Sequence, residues 1–286
     1  MAAKFIERAV AFGRQLSLVG ILTRPAAAAQ TGEPAIVILN TGIVHRVGHH
    51  RMYVTMSRAL ARAGRTVLRF DFAGIGDSEQ GTAALSPLDS CMADVKDALD
   101  FLEREYAVSR CVLIGLCSGS DNAVFYGYRD PRVVGLVLMD PTIPPTARYY
   151  FHYIAQRLMR LRHWISVATG RSGLLRMLLA QVLHGVRAPR PAQEIAHDGA
   201  QFIPHLAESY KRSVEFGIQM LAVFTLSSTR QTYREQMIDA FPEVSFKDQL
   251  RLESFPDSDH LFTREQDRSQ LTRLIFDWLN STPYRR

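Results

Sequence analysis

Gly115-Leu116-Cys117-Ser118-Gly119 is the segment of this chain best equipped for covalent chemistry. It follows the apolar run Cys111-Val112-Leu113-Ile114 and precedes a helical-looking stretch from Ser120 to Tyr128. Strand, glycine-flanked turn and helix make a nucleophile elbow, usually written G-x-S-x-G. Here cysteine holds the centre and serine comes one place later. The glycines suit a strained turn in which a Cβ would meet neighbouring backbone. A sulfur at a helix N-terminus is favoured as thiolate, the reactive form, and more so beside an imidazolium. The competing reading is a buried structural cysteine, since free Cys is among the most buried residue types. The rest of the chain favours a nucleophile.

Such a nucleophile needs a base and an oxyanion hole. His260 follows the last strand-like run and precedes the last helix-like one, within Phe255-Pro256-Asp257-Ser258-Asp259-His260. It is the candidate base. The other histidines read as surface or core residues. His45, His49 and His50 would border the site mouth without carboxylates at ligand spacing, so no metal and no cofactor is expected. The oxyanion hole calls for backbone N–H groups, one from Ser118 after the nucleophile and one from Ile43 in the loop after an early strand. Asp71 and Asp77 flank a glycine-rich turn and read as structural, supplying side-chain-to-backbone hydrogen bonds.

The elements that must position these groups alternate. Ala9–Phe12 and Leu16–Leu22 suggest a hairpin around Gly13-Arg14-Gln15. Ala35–Leu39 is an apolar run typical of a strand buried on both faces. A helix over about 52–63, a strand at Thr66–Phe70 and a helix over about 86–106 lead to the elbow. Further strands are expected at Val133–Met139, about 218–226 and about 249–255, with a last helix over about 264–279. This alternation predicts a mostly parallel sheet with helices on both faces. From Thr142 to Tyr210 the rhythm stops, and a helical cap insertion is expected there, with 1–141 and 211–286 forming the core.

The charge is concentrated in that insertion. Between Thr142 and Arg190 stand eight arginines (148, 157, 160, 162, 171, 176, 187 and 190) and no Asp or Glu. Of 34 basic and 28 acidic residues in the chain, 26 and 28 lie outside it, so the excess of +6 belongs to this region. Arginines without carboxylates suit a phosphate, a carboxylate or an acidic protein surface; the plainer alternative is a solvated helical face. No nucleic-acid-binding motif accompanies the charge. No apolar stretch approaches the roughly 18 residues of a membrane span. The three cysteines, Cys91, Cys111 and Cys117, fit neither a disulfide framework nor a metal site, and a cytoplasmic setting is expected.

The loop Asp71-x-x-Gly74-x-Gly76-x-Ser78, the elbow and the late Asp259-His260 pair together resemble the α/β-hydrolases. Arg46-Val47-Gly48-His49-His50-Arg51, Val67–Asp71, Gly115-Leu116-Cys117 and Ala147–Tyr153 narrow the resemblance to the exosortase-A-associated hydrolases, which also carry cysteine at the elbow. The chain is also similar to the carrier-protein (amino)acyltransferases of nonribosomal peptide pathways, which share that nucleophile. The resemblance implies an α/β-hydrolase fold and a catalytic histidine at His260. It also implies an acid just after the strand ending near Phe224, yet Thr225–Arg230 hold no carboxylate. Asp140, at the end of the preceding strand, is one alternative, and it also reads as a loop or cap anchor. A Cys117–His260 dyad oriented by Ser228 or a backbone carbonyl is another.

Three functions follow. The first is acyl transfer from an ester or thioester through acyl-Cys117 to water, as a hydrolase or thioesterase. The second passes the acyl group between thiols of a phosphopantetheinyl carrier protein or coenzyme A. The third is a non-catalytic binding protein on the same fold. Oligomeric state and acyl group are not encoded legibly.

Overall fold

The computed structural model describes residues 5–26, 32–81, 85–150, 199–225 and 233–284. Eight strands form one sheet: β1 (Phe5–Phe12), β2 (Leu18–Pro25), β3 (Ala35–Ile38), β4 (Val67–Phe70), β5 (Cys111–Leu116), β6 (Val133–Met139), β7 (Gln219–Thr225) and β8 (Leu250–Phe255). Their spatial order is β1-β2-β4-β3-β5-β6-β7-β8. β1 and β2 form the expected antiparallel hairpin, and β2 joins β4 antiparallel; every later pairing is parallel. This is the α/β-hydrolase fold.

The central strands are apolar throughout because helices cover both faces. Every residue of β3, β4, β5, β6 and β7 is buried, the pattern of parallel strands in a three-layer sandwich. On one face, α2 (Pro87–Tyr106), α3 (Ser118–Gly127) and α4 (Gly199–Glu215) pack a core containing Leu99, Leu113, Val124, Leu136 and Leu206. On the other, α1 (Met52–Arg62) and α6 (Glu265–Ser281) enclose Met56, Leu60, Ile114, Val137, Leu271 and Ile275. A short α5 (Gln236–Ala240) precedes β8. The start of α2 has a clear local cause: the Ser86 hydroxyl accepts from Asp89 N at 3.1 Å, and Pro87 occupies the first turn.

The core was to resume at residue 211, but α4 runs unbroken from Gly199 to Glu215, and its Leu206, Ala207 and Tyr210 are buried in the core. The sequence break placed at Tyr210 falls inside this helix, whose apolar face packs against α3 and the sheet. The remainder of the expected cap, residues 151–198, lies outside the described residues. No helix among the described residues is long and apolar enough to cross a membrane.

Candidate active site

β5 delivers its chain to Cys117, the N-cap of α3, at φ 55 and ψ −122. Non-glycine residues seldom adopt this region, and where they do the surrounding structure must hold them there. The packing explains the flanking glycines. A Cβ on Gly115 would sit 2.1 Å from the Gly119 carbonyl carbon, and one on Gly119 would sit 2.5 Å from Asn40 O. Only glycine permits so close a passage of strand and helix. Cys117 N donates to Met139 O at 2.8 Å, and the Ser120 hydroxyl donates to Gly115 O at 2.7 Å. The elbow is therefore stitched to both β5 and β6. Cys117 is half-buried, whereas Cys111 is buried in β5 and its thiol is pushed up to about 12 by desolvation.

His260 lies in the loop between β8 and α6, near enough to Cys117 for the thiol to raise its pKa. Its Nδ1 lies 2.8 Å from Asp140 Oδ2. The imidazole side chain is 37% exposed and the carboxylate 7%. Its pKa is raised to about 9, first by the Asp140 hydrogen bond and then by the Cys117 contact, against a burial that pulls the other way. Below that pH the shared proton resides on the ring. With Nδ1 committed to Asp140, Nε2 is the nitrogen left for the sulfur.

Asp140 ends β6 in a left-handed conformation, φ 43. Its amide donates to Val223 O at 2.8 Å, and its Oδ1 accepts from Thr225 N at 2.7 Å, while Oδ2 also accepts from the Thr225 hydroxyl. The carboxylate thus comes from the end of β6 and is gripped by the end of β7. That is the place near which the sequence holds no acid. Sequence reasoning named Asp140 as one alternative; it missed Thr225, which lies 85 positions away and carries no motif. Ser228, the other orienting candidate, lies outside the described residues.

The loop after β3 forms the facing wall. Val44 N donates to Thr41 O at 3.0 Å, closing a turn with Gly42 at φ 53, where glycine is favoured. Asn40 braces it, donating to Val44 O at 2.7 Å and accepting from Phe72 N at 2.8 Å. Ile43 projects a side chain that is 91% exposed. Gly42 N points at the elbow and donates to Ser118 Oγ at 2.8 Å. Ser118 and Ile43, the two residues expected to supply oxyanion amides, thus stand at this junction, Ile43 directly following Gly42.

Sequence reasoning also missed Tyr53. It is fully buried beneath the elbow, its hydroxyl 2.8 Å from Thr41 Oγ1 and within reach of the Leu116 amide, and it is electrostatically coupled to Cys117. Burial pushes its phenol up to about 12, so it stays neutral. The only legible signal was an aromatic on the buried face of α1, which ordinarily means core packing.

His45 departs from the expectation of no nearby carboxylates: the fold brings its Nε2 to 3.5 Å from Asp71 Oδ2 and 3.6 Å from Asp77 Oδ2. The Arg46 guanidinium already bridges those two carboxylates, and Arg46 N donates to Asp71 Oδ1 at 2.6 Å. Asp71 supplies the expected side-chain-to-backbone hydrogen bonds, accepting from Arg46 N and from Asp77 N at 3.3 Å, whereas the Asp77 carboxylate meets the side chains of Arg46 and His45 instead. His49 sits close enough to His260 to interact with it, and its pKa is lowered by burial first, then by His50 and His260.

Several solved structures share this architecture. A hypothetical protein from Pseudomonas aeruginosa is 17% identical, with 98% of this chain and 94% of that chain covered at a TM-score of 0.59. A Pyrococcus furiosus esterase is 14% identical over 97% and 91% of the two chains, with a TM-score of 0.58. The proline iminopeptidase of Mycobacterium smegmatis is 16% identical over 96% and 98%, with a TM-score of 0.54. At such identities the likeness speaks for the fold alone. The comparison with curated proteins finds no match. The model of the Hydrolase_4 family, described as serine aminopeptidase S33, matches residues 34–198, more than half of the 286-residue chain, and the protein belongs to that family of α/β-hydrolases.

Proposed function

We propose that the chain is a cysteine-dependent acyl-transfer enzyme that hydrolyses an ester or thioester through an acyl-Cys117 intermediate. The observation that carries this reading is the Cys117–His260–Asp140 line, with Nδ1 of the ring 2.8 Å from the carboxylate and the other face of the ring at the thiol. The family is described by a serine, and cysteine stands at this chain's elbow. A sulfur with an imidazole and a carboxylate behind it keeps the same division of labour.

In acylation, His260 holds the thiol proton while Sγ attacks the carbonyl carbon. A C–S bond forms and the carbonyl oxygen takes the negative charge. The N–H groups of Ser118 and of the Thr41–Val44 turn face that charge. The intermediate collapses, the bond to the leaving oxygen or sulfur breaks, and His260 delivers the proton to it. In deacylation, water gives a proton to His260 and attacks; the C–S bond breaks and the proton returns to Sγ. Asp140 keeps one ring tautomer and offsets the imidazolium throughout.

A second reading, transfer to another thiol on a carrier protein or coenzyme A, draws on the cysteine itself. Thioester exchange is close to isoenergetic, so a sulfur loads and unloads reversibly. The similarity to cysteine-bearing acyltransferases and the arginine-rich region support it. The oriented Asp140–His260 pair supports water as acceptor, because deacylation by water needs a well-placed base more than thiol exchange does. The test is turnover of a panel of acyl thioesters with and without an acceptor thiol. Free acid formed at a rate independent of the acceptor supports hydrolysis, acceptor-dependent discharge supports the shuttle, and no turnover with no adduct leaves a binding protein.

A further inference from the structure

The bond from Gly42 N to Ser118 Oγ, 2.8 Å long, spans the two walls that flank the sulfur. A serine hydroxyl has one hydrogen to donate and two lone pairs to accept with. Gly42 uses a lone pair. Among the described residues nothing accepts the Ser118 hydroxyl hydrogen. Ser118 directly follows Cys117 at the start of α3 and is half-buried, so its hydroxyl lies at the surface of the elbow rather than in the core. The Gly42 amide holds the Ser118 oxygen toward the loop after β3.

We infer that the Ser118 side chain, and not only its backbone, is a catalytic donor to the oxyanion. This rests on the acyl-Cys117 reading. When the carbonyl carbon becomes tetrahedral, its oxygen gains negative charge, and the hydroxyl hydrogen bond to it strengthens. The proton stays on Ser118 throughout, and Gly42 polarises the hydroxyl by donating to its oxygen. The position therefore demands a hydroxyl, whereas a hole made of N–H groups alone would accept any small residue there. A serine one place after the nucleophile, which looks like a displaced G-x-S-x-G serine, has a separate task.

The experiment compares two reactions of the same sulfur. Acylation by a p-nitrophenyl ester passes through an oxyanion; alkylation by iodoacetamide displaces iodide at a saturated carbon and forms none. In Ser118→Ala the acylation rate is expected to fall about 100- to 1,000-fold, on the scale of losing one oxyanion donor. Alkylation should stay within about twofold of the unmodified chain, because the thiol and its imidazole are untouched. Ser118→Thr keeps the hydroxyl and should recover most of the acylation rate. Acylation that is unchanged or faster in Ser118→Ala would overturn the inference, the second outcome meaning that the hydroxyl merely blocks Gly42. Acylation and alkylation falling together, with no recovery in Ser118→Thr, would also overturn it and assign the side chain a packing role. An unmodified chain that alkylates but never acylates would remove the proposed function and this inference together.

Discussion

At the scale of single residues, the site is defined by which atoms already have partners. The Asp140 carboxylate has three hydrogen-bond partners: the Thr225 amide, the Thr225 hydroxyl and His260 Nδ1. These hold a carboxylate that is almost wholly out of water, so its effect on the ring is strong. The sign is definite. Because the pKa of His260 is raised to about 9, the paired imidazolium contributes stability that is complete below the ordinary histidine value near 6.5 and is lost as pH rises through about 9. The ring proton, followed by NMR, should therefore titrate near 9, and Asp140→Asn should move it down towards the ordinary histidine value. A ring that titrates near 6.5 in the unmodified chain would contradict the geometry. Cys117, His260 and Asp140, the last only as one of several orienting alternatives, could be named from the sequence because each follows a strand-like run. Thr225 and Tyr53 were not readable: both act through contacts between distant segments, and neither residue type marks itself.

At the scale of elements, the elbow depends on β5, α3 and the β3 loop passing within contact of one another. Gly115 and Gly119 are the points of contact, and the obstacles they face are backbone atoms that cannot rotate aside. Gly115→Ala should destabilise the protein by about 3 kcal/mol or more, or prevent folding, because relief requires moving a helix rather than a side chain. Thermal unfolding measures this; a change in midpoint of only a degree or two would show that the elbow is looser than described. The pattern of alternating strands and helices was legible because buried parallel strands write themselves as unbroken apolar runs. The boundary expected at residue 210 falls within α4, and a helix that packs on the core shows the same apolar periodicity as one expected in an insertion.

At the scale of the whole molecule, the positive charge is segregated rather than spread. The arginines from 148 to 190 are offset by no carboxylate in their own segment, while the rest of the chain is slightly acidic. Among them Arg148 is seen to pair with Asp239 at 3.4 Å and to lie over the Tyr233 ring, so this one is already engaged with the core. On the carrier-protein reading, the arginines of this segment would attract an acidic carrier over a distance that salt shortens. The rate constant at low substrate for an acyl group on an acidic carrier protein should fall severalfold between low and high ionic strength. The same acyl group on a small neutral thiol should show little change. Equal salt dependence for both would remove the arginines from recognition.

The most direct measurement is the intact mass of the protein quenched within seconds of mixing with an activated acyl ester, followed by peptide mapping. Bond formation at one sulfur predicts a single added acyl group on the peptide containing Cys117, none in Cys117→Ala, and a much slower gain in His260→Ala. An adduct that persists unchanged in Cys117→Ala, or none at all on a folded chain across a broad range of acyl groups, would contradict it.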